Sequence, residues 1–230
     1  MKPRSLAIPT AFRRARDSSP AWVAVVVGPW AALAALRPGE IERPWLALAP
    51  CLALAGWVVL RRLLSTDPAA EMSRNMLLLG TFGMLAGLIL DVRGPGLALI
   101  TSQCGADATP GFLQVSYLHW SGLPAMHIGM LSAGLSAVSL RGLTGSSTRP
   151  SLGVDFLRHA ACSVWMLVGM TVGSMLCERW AMGLIGTPAS GQSAIVMLGG
   201  MFAGMVWGMV AHTACNRAGK RLRGISILAA

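Results

Sequence analysis

Sulfur-bearing and imidazole side chains recur at helical spacing in the second half of this 230-residue chain. The stretch 199–215 reads GGMFAGMVWGMVAHTAC, in which methionines stand four residues apart and a His-x-x-Cys follows. Positions separated by four or seven residues share one face of a helix. Thioether, imidazole and thiolate groups suit Cu(I), and thiolate with imidazole also suits zinc. The pattern raises a soft-metal site as a hypothesis.

Three apolar segments carry the candidate thioether ligands. In one of them His119 precedes Met126 and Met130 with the spacing His-x6-Met-x3-Met, and His159 opens a second segment with the same spacing. A third segment has methionine at every fourth position, in a slowly rotating stripe. The predicted thioether ligands are Met126, Met130, Met166, Met170, Met197, Met201, Met205 and Met209. His127 should face about 80° away from His119 on a continuous helix, which favours a packing role for it.

Two His-x-x-Cys pairs give a more specific spacing. His159 and Cys162 open the fifth apolar segment, and His212 and Cys215 close the sixth. Residues three apart lie on one helical face, so each helix offers two ligands side by side. Consecutive antiparallel helices would bring both pairs to the same end. The four side chains are predicted to form a tetrahedral soft-metal site.

Packing alone is the competing interpretation of these residues. Methionine is a flexible apolar gap-filler, and beside glycine it fills the space that glycine leaves. Free cysteine is often simply buried.

Cys104 and Cys177 are both predicted on the outer side, where either a disulfide or two free thiols is compatible with the sequence. Asp91 lies at an outer helix end, where it either pairs with a neighbouring arginine or gathers cations.

Composition indicates that membrane helices position these residues. The chain is 54% hydrophobic and 12% charged, with a mean hydropathy of +0.60, whereas a soluble domain carries about 25% charged residues. The formal net charge of +10 is typical of nucleic-acid-binding proteins, but here the basic residues lie between apolar runs and form no single face. That distribution favours orientation in a bilayer and disfavours nucleic acid as a partner.

Six apolar segments predict an all-α polytopic membrane protein with six transmembrane helices. Most approach the 17–25 residues that a helix needs to cross the hydrocarbon core. The first is short and contains Pro29. The predicted spans are Ala21–Leu36, Pro44–Leu60, Met72–Leu90, Val115–Leu140, His159–Leu176 and Ala194–Ala211.

The basic residues predict that both termini are cytoplasmic. With the N-terminus inside, only Arg37, Arg43, Arg93 and Arg179 of the nineteen Lys and Arg residues fall outside, in agreement with the positive-inside rule. The predicted location is a bacterial-type inner membrane. Residues 1–20 form a basic arm without the apolar region of a signal peptide, residues 21–212 a single transmembrane domain, and residues 213–230 a basic tail.

Small residues at every fourth position predict a compact bundle of the last four spans. Gly83 and Gly87 recur in this way in the third span, and Gly169 and Gly173 in the fifth. Such faces let helix backbones approach closely within lipid. The motif is common in membrane proteins and indicates no substrate.

Two functional hypotheses from different classes follow. The first is a small membrane protein that binds or passes a soft metal ion, with Cu(I) preferred. The second is a non-catalytic accessory subunit of a larger membrane complex, in contact with lipid and with other integral subunits or a second copy. A small-solute permease is a third reading with no identifiable pore. The sequence shows no phosphate-binding loop, His-Glu-x-x-His motif or paired intramembrane carboxylates, which disfavours an enzyme.

Overall fold

The computed structural model describes residues 43–64, 69–94, 111–143, 152–185 and 190–228. The predicted first span Ala21–Leu36, the basic arm and Cys104 lie outside the described residues. Regular secondary structure in the described ranges is entirely helical, as the sequence predicts. The helices are α1 (Arg43–Leu64), α2 (Ala69–Val92), α3 (Phe112–Gly122), α4 (Pro124–Leu143), α5 (Leu152–Ile185) and α6 (Ser190–Leu228).

Four of these helices contain predicted spans, and one prediction is wrong. The second, third, fifth and sixth predicted spans lie within α1, α2, α5 and α6. The predicted single span Val115–Leu140 is instead two helices, α3 and α4, separated at Leu123. The long final helix α6 continues without interruption through most of the predicted basic tail, to Leu228.

Proline explains the break between α3 and α4. Leu123 leaves the helical region, with φ −129° and ψ 53°, because the ring of a following proline disfavours the α conformation in the residue before it. Pro124 is then the first residue of α4, a position where its missing N–H costs nothing. Leu123 still donates its own N–H to the His119 carbonyl (2.9 Å), which closes the last turn of α3.

Two described segments are long and apolar enough to cross a membrane. They are Phe156–Trp180 in α5 and Val196–Gly219 in α6, and a shorter apolar segment covers Met76–Val92 in α2. The α6 segment is 83% buried, whereas the α5 segment is 39% buried. Helix α6 is therefore the central helix of the described bundle. The six-span arrangement stays a prediction.

Glycine seams join the helices into two close pairs. A Cβ atom added at Gly83 or Gly87 of α2 would collide with the Gly129 or Ala125 carbonyl oxygen of α4. Carbonyl groups of one helix thus occupy the space that a side chain on the other would need. The predicted small-residue faces lie at this seam, which is the geometry that glycine permits between membrane helices.

The second pair is α5 with α6. Gly169 and Gly173 of α5 lie against Gly204 and Gly200 of α6, and Gly208 lies against the Trp165 carbonyl. Helix α1 packs on the other side of α6, where the Trp207 indole N–H donates to the Leu52 carbonyl oxygen (3.0 Å). The α2–α4 and α5–α6 pairs meet through fewer backbone approaches than each pair makes internally.

Large apolar side chains lie on both the inside and the outside of the described helices, and several polar side chains are buried. Four histidines and several hydroxyl side chains are buried, together with Asp91. Large apolar side chains cover the exposed surface of the same helices: those of α5 are Phe156, Leu157, Val164, Val168, Val172, Leu176 and Trp180. Such a surface is unusual for a protein surrounded by water and is expected where lipid is the solvent.

Candidate functional site

Helix α5 separates its apolar residues by chemistry. The buried apolar side chains described on this helix all contain sulfur: Cys162, Met166, Met170 and Cys177. Its exposed large side chains are Leu, Val, Phe and Trp. Methionine and leucine have similar size and similar apolar character, so hydrophobicity alone does not sort them in this way. The buried face of α5 is a sulfur face.

Ten methionines from four helices form the largest part of one buried cluster. All eight predicted thioether ligands belong to it, and Met76 and Met84 of α2 join them. Each of the ten side chains is at most 3% exposed. We refer to these residues as the methionine core; they are Met76, Met84, Met126, Met130, Met166, Met170, Met197, Met201, Met205 and Met209. The soft side chains converge on one interior and do not scatter over separate helix faces.

Glycine and methionine are complementary at one level of the core. A Cβ added at Gly80 of α2 would lie 3.1 Å from the Met166 methyl group and 3.6 Å from Met130 Cγ. The missing side chain at Gly80 therefore leaves room for thioether side chains from α5 and α4. At this level the packing interpretation describes the contact well, because an unbranched flexible side chain fills the gap.

Two sulfur atoms meet where α5 crosses α6. The Cys162 thiol donates a weak hydrogen bond to the Met209 thioether, with Sγ and Sδ 3.0 Å apart. Both side chains are fully buried. A thiol and a thioether on facing helices form a soft donor pair of the kind that suits Cu(I), once the thiol has lost its proton.

The second predicted pair, His212 and Cys215, is arranged differently. His212 is buried, but its Nε2 accepts a hydrogen bond from the Asn216 amide (2.9 Å). Metal binding through that nitrogen would have to displace Asn216. Cys215 is exposed, whereas His159 and Cys162 are buried.

The four predicted inner ligands are consequently not gathered into one closed tetrahedron. Within the described ranges, no three His, Cys, Asp or Glu side chains lie close enough together to hold a metal ion. The soft donors that do lie together are the Cys162–Met209 pair and the thioethers of the methionine core. Metal binding by His159, Cys162, His212 and Cys215 stays a prediction.

Asp91 has a structural partner that the sequence did not indicate. Its carboxylate accepts the backbone N–H groups of Ala125 (3.1 Å) and Met126 (2.7 Å) at the start of α4. An acidic side chain suits this position because the N-terminus of a helix carries partial positive charge and unpaired N–H groups. Asp91, itself buried, thus fixes α4 against the end of α2.

Two histidines meet beside the break between α3 and α4. The rings of His119 and His127 have centroids 6.5 Å apart and planes inclined by 28°. The Trp120 ring lies 5.1 Å from the His127 ring. The prediction that His127 faces away from His119 is wrong, because it assumed one continuous helix. Leu123 changes the chain direction, and α3 reaches α5, where a hydrogen bond joins Ser116 Oγ and Thr171 Oγ1 (3.2 Å).

The sequence pattern predicted the surroundings of His119 incorrectly. The spacing placed it on a face with Met126, but the helix break separates the two. A usable signal was present in the sequence GLPAMH, because Gly-Leu-Pro predicts a helix boundary. The Asp91 contacts with α4 join positions more than thirty residues apart and leave no comparable local signal.

Cys177 is buried and forms no disulfide with another described cysteine. Its predicted alternative partner, Cys104, lies outside the described residues.

The chain matches no known family model, and neither a curated protein nor a solved structure matches it.

Proposed function

We propose that this protein is a small inner-membrane protein that binds or passes a soft metal ion, with Cu(I) as the preferred ion. The observation that carries the proposal is the sulfur face of α5, from Cys162 to Met170, and its continuation into the methionine core. Thioether ligands are neutral and soft, and soft ligands favour Cu(I) over hard cations.

The arrangement favours passage over permanent storage. Thioethers follow one another along α4, α5 and α6, and the Cys162–Met209 pair lies at one end of the series. Conduction requires several sites that an ion can enter and leave. A row of weak neutral donors meets that requirement better than a closed four-ligand site, in which the ion would be held tightly.

The accessory-subunit hypothesis has one observation in its favour. The apolar exposed faces of the described helices offer a large surface to other membrane helices. However, the glycine seams, which would be the strongest docking surfaces, are already occupied by helices of the same chain. The second hypothesis therefore depends on partners that recognise Leu and Val surfaces.

The test is Cu(I) binding and flux with methionine replaced by leucine. The full chain is purified in detergent under reducing conditions, loaded with Cu(I), and its copper content is measured by mass spectrometry. The variant Met166→Leu/Met170→Leu/Met205→Leu/Met209→Leu keeps side-chain volume and apolar character but removes four thioethers. We expect it to lose most of the bound copper and, in proteoliposomes, most of the Cu(I) flux.

Met175→Leu is the matched control, because Met175 lies on the same helix and is half-buried outside the methionine core. It should behave as the unsubstituted protein. Equal copper content and equal flux in the fourfold leucine variant and in Met175→Leu would contradict the proposal and leave packing as the role of the methionines.

A further inference from the structure

We propose that His119 and His127 form a second Cu(I) site, a two-imidazole site at the break between α3 and α4. This proposal rests on the proposed function, since the two-imidazole site would supply the same ion to the methionine core. It uses residues outside the predicted ligand set.

The first support is the state of His119. The side chain is 1% exposed, and neither ring nitrogen has a hydrogen-bond partner among the described residues. Buried polar atoms normally find a partner, because a hydrogen bond to water that is lost on burial and not replaced destabilises the folded protein. A neutral imidazole offers one lone pair, and a metal ion is a partner that such a lone pair accepts.

The second support is the orientation of His127. Its Nδ1 lies 2.8 Å from the Leu123 carbonyl oxygen. A carbonyl only accepts, so Nδ1 carries the proton and Nε2 keeps the lone pair. Histidines that bind metals typically donate their other ring N–H to a backbone carbonyl or carboxylate in this way. Leu123 is the residue at the helix break, so the break fixes the tautomer of His127.

The third support is the distance between the rings. A metal lies about 2.0–2.1 Å from a ligating imidazole nitrogen, and the ring centre lies about 1.2 Å behind that nitrogen, so two rings that share one ion have centres up to roughly 6.6 Å apart. The centroids of His119 and His127 are 6.5 Å apart with planes inclined by 28°. The two rings are therefore close enough to share one ion when each turns a nitrogen toward the other.

The site is joined to the methionine core through the chain itself. Met126, the residue before His127, belongs to the core. The Ser116–Thr171 hydrogen bond places α3 nine residues from Cys162 along α5, or about 13 Å at the rise of an α-helix. The two histidines and the Cys162–Met209 pair thus lie toward opposite ends of the row of thioethers.

The choice of ion follows from the charges nearby. Asp91, the neighbouring carboxylate, already accepts two backbone N–H groups, and no third His, Cys, Asp or Glu side chain completes a metal site within the described ranges. Two neutral imidazoles, beside a carboxylate that already accepts two N–H groups, suit a monovalent soft ion that needs few ligands, whereas hard divalent cations require several oxygens.

The test separates nitrogen-bound from sulfur-bound copper. The fourfold leucine variant, which keeps six of the ten thioethers of the methionine core, is titrated with Cu(I) under reducing conditions, and X-ray absorption distinguishes nitrogen from sulfur among the atoms bound to copper. We expect one remaining copper with imidazole scattering. Adding His119→Gln/His127→Gln should weaken its binding roughly tenfold or more, whereas adding His159→Gln/His212→Gln should not. Gel filtration and circular dichroism establish that each variant is folded.

Each outcome decides between the two proposals. Copper that survives His119→Gln/His127→Gln, or that is lost with His159→Gln/His212→Gln, overturns the two-imidazole site. Unsubstituted protein that binds copper with sulfur scattering alone also overturns it but leaves the proposed function intact. Binding that depends on His119 and His127 and not on the thioethers supports this site and contradicts the methionine pathway. An unsubstituted chain that binds no Cu(I) overturns both.

Discussion

Asp91 shows how one residue can organise a distant element. Its carboxylate holds two N–H groups of α4 from a position at the end of α2, and these are among the four N–H groups that a helix start leaves unpaired. Pro124, the first residue of α4, contributes no N–H of its own. The start of α4, and with it the position of His127, therefore depends on a side chain from another helix.

Replacing Asp91 should destabilise the protein in proportion to the number of carboxylate oxygens removed, because each accepts one N–H group of α4. We expect Asp91→Ala to lower the free energy of unfolding by about 1–2 kcal/mol, the usual cost of losing a helix cap. Asp91→Asn keeps one acceptor oxygen and should fall between that variant and the unsubstituted protein. Thermal unfolding of the purified protein in detergent, followed by circular dichroism, gives the order.

Leu90→Ala is the control for Asp91, because the adjacent Leu90 side chain is exposed and makes no cap. An Asp91→Ala protein that unfolds at the same temperature as Leu90→Ala would show that the two hydrogen bonds contribute little to stability.

The elements are held together by backbone approach more than by side-chain interlock. In the α2–α4 seam the carbonyl of Gly129 lies where a Cβ of residue 83 would be, and the Ala133 methyl group lies 2.6 Å from the same point. In the α5–α6 seam the Gly169 carbonyl takes the corresponding place beside Gly204. Adding one methyl group at either seam must push two helices apart.

The change in the free energy of unfolding caused by a glycine-to-alanine substitution should therefore differ in sign between the seams and the rest of the helices. Gly83→Ala and Gly204→Ala are expected to destabilise the protein by about 1–3 kcal/mol, the usual cost of overpacking. Gly134→Ala should be neutral or stabilising by up to about 1 kcal/mol, because alanine is the better helix former and its Cβ would meet only the Met76 methyl group, at 3.8 Å. Thermal unfolding in one detergent compares the three; equal melting temperatures would contradict the close seams.

At the scale of the described bundle, the outer surface of α5 is suited to lipid. Val168 lies at the middle of the Phe156–Trp180 segment and is exposed, as are the apolar residues one turn away on the same face. Polar side chains, such as Ser174 and Thr171, are turned inward and hydrogen-bond to backbone carbonyls of their own helix. An outer face of this kind, with large apolar side chains and few polar ones, is unusual for a helix in contact with water.

The effect of a lysine on this surface should therefore depend on how deep in the membrane it lies. Val168→Lys would place a charge at the middle of the α5 segment, at a cost of about 2.5–3.5 kcal/mol in a membrane, so we expect poor accumulation in the membrane fraction. Leu157→Lys, also exposed but at the end of the segment, should accumulate normally, because a lysine there can extend to the headgroups. Similar amounts of the two in carbonate-washed membranes would contradict a lipid-facing α5.

Sequence periodicity predicted much of this arrangement. It failed at positions that depend on more than the regular repeat of one helix. The spacing of Gly83, Gly169 and Met166 predicts seams and a buried sulfur face, because each depends only on residues of one regular helix. His127 was misplaced because a proline ended the helix on which its angle was calculated. Cys215 shares a face with His212 by spacing but is exposed, because burial depends on how far the neighbouring helices extend.

The two glycine seams also determine where the molecule can yield. Within the α5–α6 pair, as within α2–α4, backbone meets backbone, and neither pair can be compressed or opened without breaking a continuous line of contact. Between the pairs, the Met166 methyl group of α5 lies at Gly80 of α2, and a thioether side chain of this kind has three rotatable bonds and adjusts readily. The α2–α4 and α5–α6 pairs are therefore the rigid parts of the bundle, and the layer of methionine side chains between them is the part that deforms most easily. The proposed ion path would therefore lie in the layer whose side chains adjust most readily by rotation about their own bonds.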